Sequence, residues 1–494
     1  MAEVFDLLVV GGGINGVGIA RDAAGRGLSV VLVEREDLAQ HTSSASTKLI
    51  HGGLRYLEHG AFRLVREGLT EREVLLAAAP HLIRPLRFVL PQGPGLRPGW
   101  LIRLGLFLYD HLGRRSRLEG SFAVRFPDAA LGQPLRPEIR RGFVYADCRV
   151  DDSRLVVANA IDAAERGATI LTRTAFVEAR RDGTLWHARL GGVAGIQEVV
   201  ARAIVNAAGP WVDRVLHGSL GIGGANEVRL VKGSHIVVPR LYDGDHAYLL
   251  QNADRRIVFA IPYEGRFTLV GTTDVPFAAG PGAVAIDPAE IAYLCASLGC
   301  WFRIAPAPAD IVWSYAGIRP LHDDAAGEAA AVTRDYALRV DGVEAPVLSV
   351  YGGKITTYRR LAEHALERLL PLLGRTGTPW TARATLPGGD LPGGDPESLA
   401  REAERRWPFL PAGMARRLAA AYGTRIERIL GGTMSIGDLG EDFGGGLFAG
   451  EVDHLLRHEW ARTAEDILWR RSKLGLHVPA DTAARLDAYL GAAR

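Results

Sequence analysis

The feature that most constrains this chain lies at its start. An apolar run, Phe5 to Val10, stops at Gly11-Gly-Gly13-Ile14-Asn15-Gly16; a helical stretch from about Asn15 to Gly25 follows, then a Val-rich run, Leu28 to Val33, closed by Glu34. Apolar runs ending in glycine suit buried parallel strands, so the segment reads as a β-α-β unit. GxGxxG at that junction is a dinucleotide fingerprint. Gly11 permits the tight turn, Gly13 lets backbone approach a pyrophosphate, and Gly16 allows close helix–strand packing. The helix N-terminus offers N–H groups and a partial positive charge to the diphosphate. Glu34 can accept from both ribose hydroxyls and would repel a 2′-phosphate, which disfavours NADP. This motif alone leaves FAD and NAD open.

Glycine is abundant, 59 of 494 residues, without a collagen-like period, so it serves turns and close backbone approach. At roughly 150 residues per domain the length predicts about three domains, or two large ones. A formal charge of +2 argues against a dedicated nucleic-acid binder. Cys148, Cys295 and Cys300 show no CxxC spacing, which disfavours a disulfide framework or structural zinc, and no metal site is expected. The N-terminus has no basic stretch of a cleaved signal, and no run is long and apolar enough for a transmembrane helix.

Further along, Leu38 to Gly53 reads as a Ser/Thr/Gly-rich loop and Phe62 to Ala79 as an amphipathic helix. Asp152 to Gly167 reads as helix, and Thr169 to Ala179 and Glu198 to Asn206 as strands. HIVVP, RIVFAIP and RFTLVGTTD suggest an antiparallel, substrate-covering sheet. Leu348 to Val350 reads as a strand whose Tyr351-Gly-Gly-Lys opens a helix through Leu370, and Asp453 to Gly475 reads as helix in the tail. The expected division is an FAD-binding domain of residues 1–90, 136–226 and 336–385; an insertion, 91–135; a cap, 227–335; a linker, 386–396; and a helical domain, 397–494.

Chain order separates FAD from NAD. Ile204-Val-Asn-Ala-Ala-Gly209-Pro-Trp and Tyr351-Gly-Gly-Lys-Ile-Thr-Thr357 are two further strand-to-turn junctions far from the fingerprint. One cofactor touched by three distant segments is long and embraced by the domain, which suits FAD.

The segments Thr42-Ser-Ser-Ala-Ser-Thr-Lys-Leu-Ile-His51-Gly-Gly-Leu-Arg55-Tyr56-Leu, Lys232-Gly-Ser-His235, Gly271-Thr-Thr-Asp274, Gly317-Ile-Arg319-Pro, Thr333-Arg334-Asp-Tyr336 and Gly352-Gly-Lys354 resemble the aerobic, FAD-dependent glycerol-3-phosphate dehydrogenase family across nearly the whole chain. The resemblance implies an α/β fold: a Rossmann-type, glutathione-reductase-like FAD-binding domain with an antiparallel cap and a C-terminal helical domain. It implies oxidation of sn-glycerol 3-phosphate to dihydroxyacetone phosphate, reduction of a membrane quinone, and a role in glycerol catabolism at the inner face of the cytoplasmic membrane. Carried onto this sequence, it also implies FAD contacts from Gly11, Gly13, Ile14, Asn15, Gly16, Glu34, Arg35, Thr42, Ser43, Ser46, Lys48, Leu49, Ile50, His51, Gly52, Ala208, Gly209, Trp211, Gly353, Lys354, Ile355 and Thr356.

Oxidising a secondary alcohol with a flavin requires hydride transfer and a base for the hydroxyl proton, and a phosphorylated substrate needs a cationic clamp. Arg319 and Lys354 are the first choices for the phosphate, with Arg55 and Arg334 as further donors and Tyr56 as a neutral one. His235 and His51 compete as base. His235 is preferred, because the family pattern lays the His51 turn against the flavin and sets His235 in the cap.

Between Leu96 and Arg117, Trp100, Leu101, Ile102, Leu104, Leu106, Phe107, Leu108 and Tyr109 are flanked by Arg97, Arg103, Arg114, Arg115 and Arg117. That pattern suits an in-plane segment on anionic lipid. Trp460, Trp469 and Arg470-Arg-Ser-Lys473 permit a homodimer contact. Competing readings are a glycerol-3-phosphate oxidase using oxygen, another alcohol, amine or amino-acid oxidase, and a non-catalytic redox sensor or scaffold.

Overall fold

The computed structural model describes residues 3–93, 97–113, 116–193, 195–224, 226–322, 335–342 and 344–492. The N-terminal unit forms as its sequence dictates. Val4–Val10, the helix Ile14–Gly25 and Val30–Val33 make the β-α-β, with Leu7 opposite Val30 in parallel register. Around it the central sheet runs Ala337–Asp341, Val347–Tyr351, Gly195–Asn206, Val4–Val10, Val30–Val33, Thr169–Leu171, parallel except for the first pairing. The helices Ile14–Gly25, Asp152–Glu165 and Tyr358–Leu372 contribute Val17, Leu155 and Leu361 to the core that includes Leu7 and Leu32. Being buried on both faces explains why these strands are apolar throughout rather than alternating.

The second sheet covers the first domain's ligand edge. Val228–Pro239 pairs antiparallel with Trp313–His322 on one side and Phe267–Gly271 on the other. Ile257–Tyr263 and Ala247–Gln251 continue it. The sheet then takes in Ile83–Pro91, Arg141–Val150 and Leu49–Ile50. These three strands fall in segments that the sequence reading placed in the FAD-binding domain, and that grouping is corrected by the pairing. A strand's own residues specify two buried faces, not which sheet supplies its neighbours. Ala247–Gln251 meets Ile83–Pro91 in parallel, so the sheet is mixed.

Two helix boundaries also differ from expectation. The helix after the Gly352-Gly353 turn opens at Tyr358, because both glycines have left-handed φ, +74° and +97°, which helix cannot continue. The tail segment from Asp453 is broken: one helix ends at His458, Trp460 takes φ +56°, and a π-helical turn occupies Asp466–Arg471. The reason is electrostatic anchoring. Glu459 turns inward to pair with Arg154, and Arg471 reaches Asp37. The segment 386–396 is no loose spacer either, since Leu386 and Leu391 are buried and Leu386 N–H donates to Ala78 O at 2.8 Å.

Candidate active site

A cavity of about 550 Å³ lies where the carboxyl ends of the central strands meet the second sheet, the place where open α/β sheets bind ligands. The fingerprint forms its floor. A Cβ on Gly16 would stand 1.9 Å from Gly11 O, and one on Gly11 would stand 2.6 Å from Ala207 O, so only glycine lets helix and strands approach this closely. No side chain caps the helix N-terminus at Gly13, which is left open towards the cavity. Glu34 is held by the N–H groups of Gly12 at 2.7 Å and Glu36 at 2.8 Å. Burial pushes its carboxyl above the usual range, and those two donors oppose the push. The buried Oδ1 of Asn15 has no partner among the described residues. An open helix terminus, a glycine cradle, an acid at the ribose position and an unmatched amide oxygen fit a dinucleotide. Gly11, Gly13, Ile14, Asn15 and Glu34 would hold it.

Most expected cofactor residues meet in this cavity: Arg35, Thr42, Ser43, Ser46, Leu49, His51, Ala208, Gly209, Trp211, Gly353, Lys354 and Ile355 all line it. The three distant segments do converge. Ile50, Gly52 and Thr356 sit behind the wall; Thr356 Oγ1 accepts from His51 N–H at 3.3 Å, and Gly52 N–H donates to Tyr109 Oη at 2.8 Å. Lys48 is a departure. Its side chain turns away to the buried Asp152, with Nζ 2.9 Å from both carboxylate oxygens, so its cavity contact is withdrawn and its role is to brace the loop. The partner stands 104 residues away and carries no sequence signal.

Among the proposed phosphate ligands, Arg319 and Lys354 line the cavity. Arg319 is aimed by an ion pair with Asp274 and by Thr272 Oγ1 at 2.8 Å. It packs against Gly233, where a Cβ would stand 2.3 Å from its Nη2. Lys354 Nζ lies 4.1 Å from the centre of the Tyr56 ring, which draws Tyr56 into the group. Arg55 is half-buried on the same short turn, Leu54–His59, and is not in the cavity wall. Arg334 lies outside the described residues.

The two histidines are separated by the structure. His51 is in the wall. His235 is 0 % exposed and stands one layer back, its ring stacked on Tyr315 at 4.7 Å and its Nε2 3.0 Å from Thr47 Oγ1. Thr47 lines the cavity. Burial, with Arg319 and Lys48 nearby, holds the imidazole well below its usual pKa, so it is neutral and its Nε2 is able to accept a proton. Direct contact between His235 and a cavity ligand, as expected from sequence, is therefore replaced by contact through a hydroxyl. Thr47 escaped the sequence reading because one hydroxyl in a Ser/Thr-rich loop looks like the next. Among the described residues, no cluster of His, Cys, Asp or Glu could hold a metal.

The same surroundings appear in known proteins. The FAD dependent oxidoreductase family matches residues 6–359, and the C-terminal domain of alpha-glycerophosphate oxidase matches 380–490. A glycerol-3-phosphate dehydrogenase of Pseudomonas aeruginosa is 57% identical over 99% of this chain and 96% of its own. A D-erythritol 1-phosphate dehydrogenase of Brucella abortus is 50% identical over 98% of this chain and 97% of its own. The crystal structure of the Bacillus halodurans glycerol-3-phosphate dehydrogenase complexed with FAD superimposes with TM-score 0.74 at 27% identity, covering 96% of this chain and 86% of that one.

Proposed function

The chain belongs to the FAD dependent oxidoreductase family and is an FAD enzyme, and from that premise we propose that it oxidises sn-glycerol 3-phosphate to dihydroxyacetone phosphate and passes the electrons to a membrane quinone in glycerol catabolism. The observation that carries the reading is the pairing of two cations, Arg319 and Lys354, with a hydroxyl-to-imidazole pair, Thr47 and His235, at one end of the dinucleotide cavity. A dianionic phosphate suits that clamp better than the single carboxylate of an amino acid.

Bound FAD supplies the two-electron acceptor for the hydride leaving the substrate's secondary carbon. The chain's residues do the rest. Arg319, fixed by Asp274 and Thr272, presents a rigid fork to the phosphate, and Lys354 adds a second charge. Holding the phosphate orients the carbinol and lowers the entropy cost of reaction. The hydroxyl proton passes to Thr47 Oγ1 while the threonine proton passes to His235 Nε2, with no net change on Thr47. His51, at the wall, positions the flavin.

The helix Gly99–Leu112 supports delivery to a membrane. It buries Ile102, Leu106 and Tyr109 and leaves Trp100 70 %, Leu104 48 % and Phe107 49 % exposed. An apolar face on the outside of a helix that is already packed suits a lipid surface. Arg114 and Arg115 lie outside the described residues; Arg97 and Arg103 flank the face, paired with Glu58 and Ser121. No helix among the described residues is long and apolar enough to cross a membrane.

The test is anaerobic addition of glycerol 3-phosphate to the purified yellow protein, followed by a quinone analogue. Bleaching with glycerol 3-phosphate but not glycerol, and recovery with the quinone, is the expected result. Bleaching by D-erythritol 1-phosphate alone would reassign the substrate, and absence of bleaching with either would remove the reaction.

A further inference from the structure

We propose that a second cavity, of about 280 Å³, between the nucleotide-binding layer and the C-terminal helices is a binding site for a phosphorylated aromatic molecule of nucleoside monophosphate size. It shares no wall residue with the cofactor cavity, and the inference is independent of the reaction proposed above.

Charge comes first. Four arginines stand in its wall against two glutamates. Arg154 and Glu459 satisfy each other deep inside. Glu165 is taken by both terminal nitrogens of Arg425, at 2.6 and 2.5 Å, which leaves Arg428 only long contacts of 3.3 Å to a carboxylate oxygen already shared. Arg457 leans on Asp453 at 2.9 Å. Counting Asp453, the walls retain one surplus positive charge, and Arg428 has the fork least committed to a protein partner. Arginine forks match phosphate oxygens.

The apolar and neutral-polar lining narrows the class. Trp460 is held at φ +56°, a conformation uncommon for a bulky residue, and stands in the wall with Tyr422. The Tyr422 ring already carries the Arg154 guanidinium, 4.6 Å from its centre, so the indole is the surface left for a stacked base. His81 is 3 % exposed, and its Nδ1 has no partner among the described residues. Burial and the nearby Arg154 and Arg84 hold it neutral, down to about 3, so it can exchange a hydrogen bond with a neutral polar group of a ligand. Cations, indole and neutral imidazole together suit a phosphate joined to a polar aromatic ring. The volume, at the lower end of ligand sites of about 300–1,000 Å³, is too small for a dinucleotide.

Its place gives it leverage. The walls come from the helix Asp152–Glu165, from Pro387 of the 386–396 segment and from the C-terminal elements around Arg425 and His454, so an occupant would tie the tail to the nucleotide layer and raise the melting temperature. The test is calorimetry on the FAD-loaded protein, whose dinucleotide groove is then filled, with AMP, adenosine and inorganic phosphate as probes. The expected result is saturable 1:1 binding of AMP with an unchanged flavin spectrum, at least tenfold tighter than either fragment, and a raised melting temperature. Arg428→Glu and, separately, Arg457→Glu, both at exposed positions, should weaken AMP at least tenfold. No saturable binding at millimolar AMP, release of FAD by AMP, phosphate binding as tight as AMP, or equal AMP affinity in both variants would each overturn the proposal.

Discussion

Thr47 Oγ1 and His235 Nε2 are 3.0 Å apart, and of the two only Thr47 touches the cofactor cavity. If the proton leaves by this route, Thr47→Val should keep its flavin and its substrate affinity yet slow anaerobic bleaching by about 100-fold, the lower range of general acid–base contributions. Thr47→Ser should restore most of the rate. Stopped-flow bleaching of the valine variant at the wild-type rate would return the role of base to His51.

Arg319 is fixed from behind by Asp274 and Thr272. Removing it takes away phosphate binding energy that also orients the reacting carbon. Arg319→Ala should lower kcat/KM by about 1,000-fold with FAD content unchanged, and Arg319→Lys should recover only part because a point charge does not reproduce the fork. Steady-state kinetics beside the flavin absorbance spectrum separates this from loss of cofactor.

How much of this was legible in the sequence depends on how far apart the partners lie. The strand Val4–Val10, the fingerprint and Glu34 form one local unit, and their spacing alone carries the dinucleotide site. Converging segments at Gly209 and Gly353 were legible too, because each repeats the strand-to-turn grammar. What was not legible is pairing across the chain: Lys48 with Asp152, Arg154 with Glu459, and Arg471 with Asp37. The same ion pairs break the tail helix that apolar spacing predicts. Sheet membership fails for the related reason that Ile83–Pro91 is an ordinary apolar strand whichever neighbour it takes.

Those hidden pairs have a consequence for the cofactor. Asp37, three residues beyond Glu34 and 0 % exposed, accepts Arg470 Nε at 2.7 Å and Arg471 Nη1 at 2.6 Å. The C-terminal segment thus braces the loop that carries the ribose acid. Breaking a buried pair typically costs about 3–5 kcal/mol. Arg471→Ala, which leaves Arg470 in place, should fall at the lower end and also speed FAD release, measured as the rise of free-flavin fluorescence on dilution. Unchanged release with lowered melting temperature would confine the pair to stability.

Buried histidines set the response to acid. His81 is held down to about 3, and His246 and His454 to about 4, chiefly by burial. Unfolded histidine titrates near 6.5. Above that pH neither state gains a proton from these groups. As pH falls below it, the unfolded chain binds protons that the folded chain refuses, so stability declines until pH reaches the folded values of about 3 to 4. Each group contributes up to about 1.4 kcal/mol per pH unit in that window. Urea midpoints should therefore fall from pH 7 to pH 5, and His81→Gln should fall less steeply; an identical slope would show that His81 is not part of the effect.

The helix Gly99–Leu112 separates lipid docking from catalysis. Its inner residues, Ile102, Leu106 and Tyr109, hold it in place, and Tyr109 Oη donates to Asp147 at 2.8 Å. Its outer residues, Trp100, Leu104 and Phe107, are exposed, so charging them removes no packing and should leave the fold and the bleaching rate intact. Burying one such side chain in lipid contributes about 1.5–3 kcal/mol. Trp100→Glu with Phe107→Glu should thus cut vesicle binding by at least 100-fold. On anionic vesicles the wild type should bind more weakly as salt rises, because cations such as Arg97 and Arg103 draw it to the surface. Flotation of the double variant with vesicles as fully as the wild type would assign the outer face of this helix to something other than lipid.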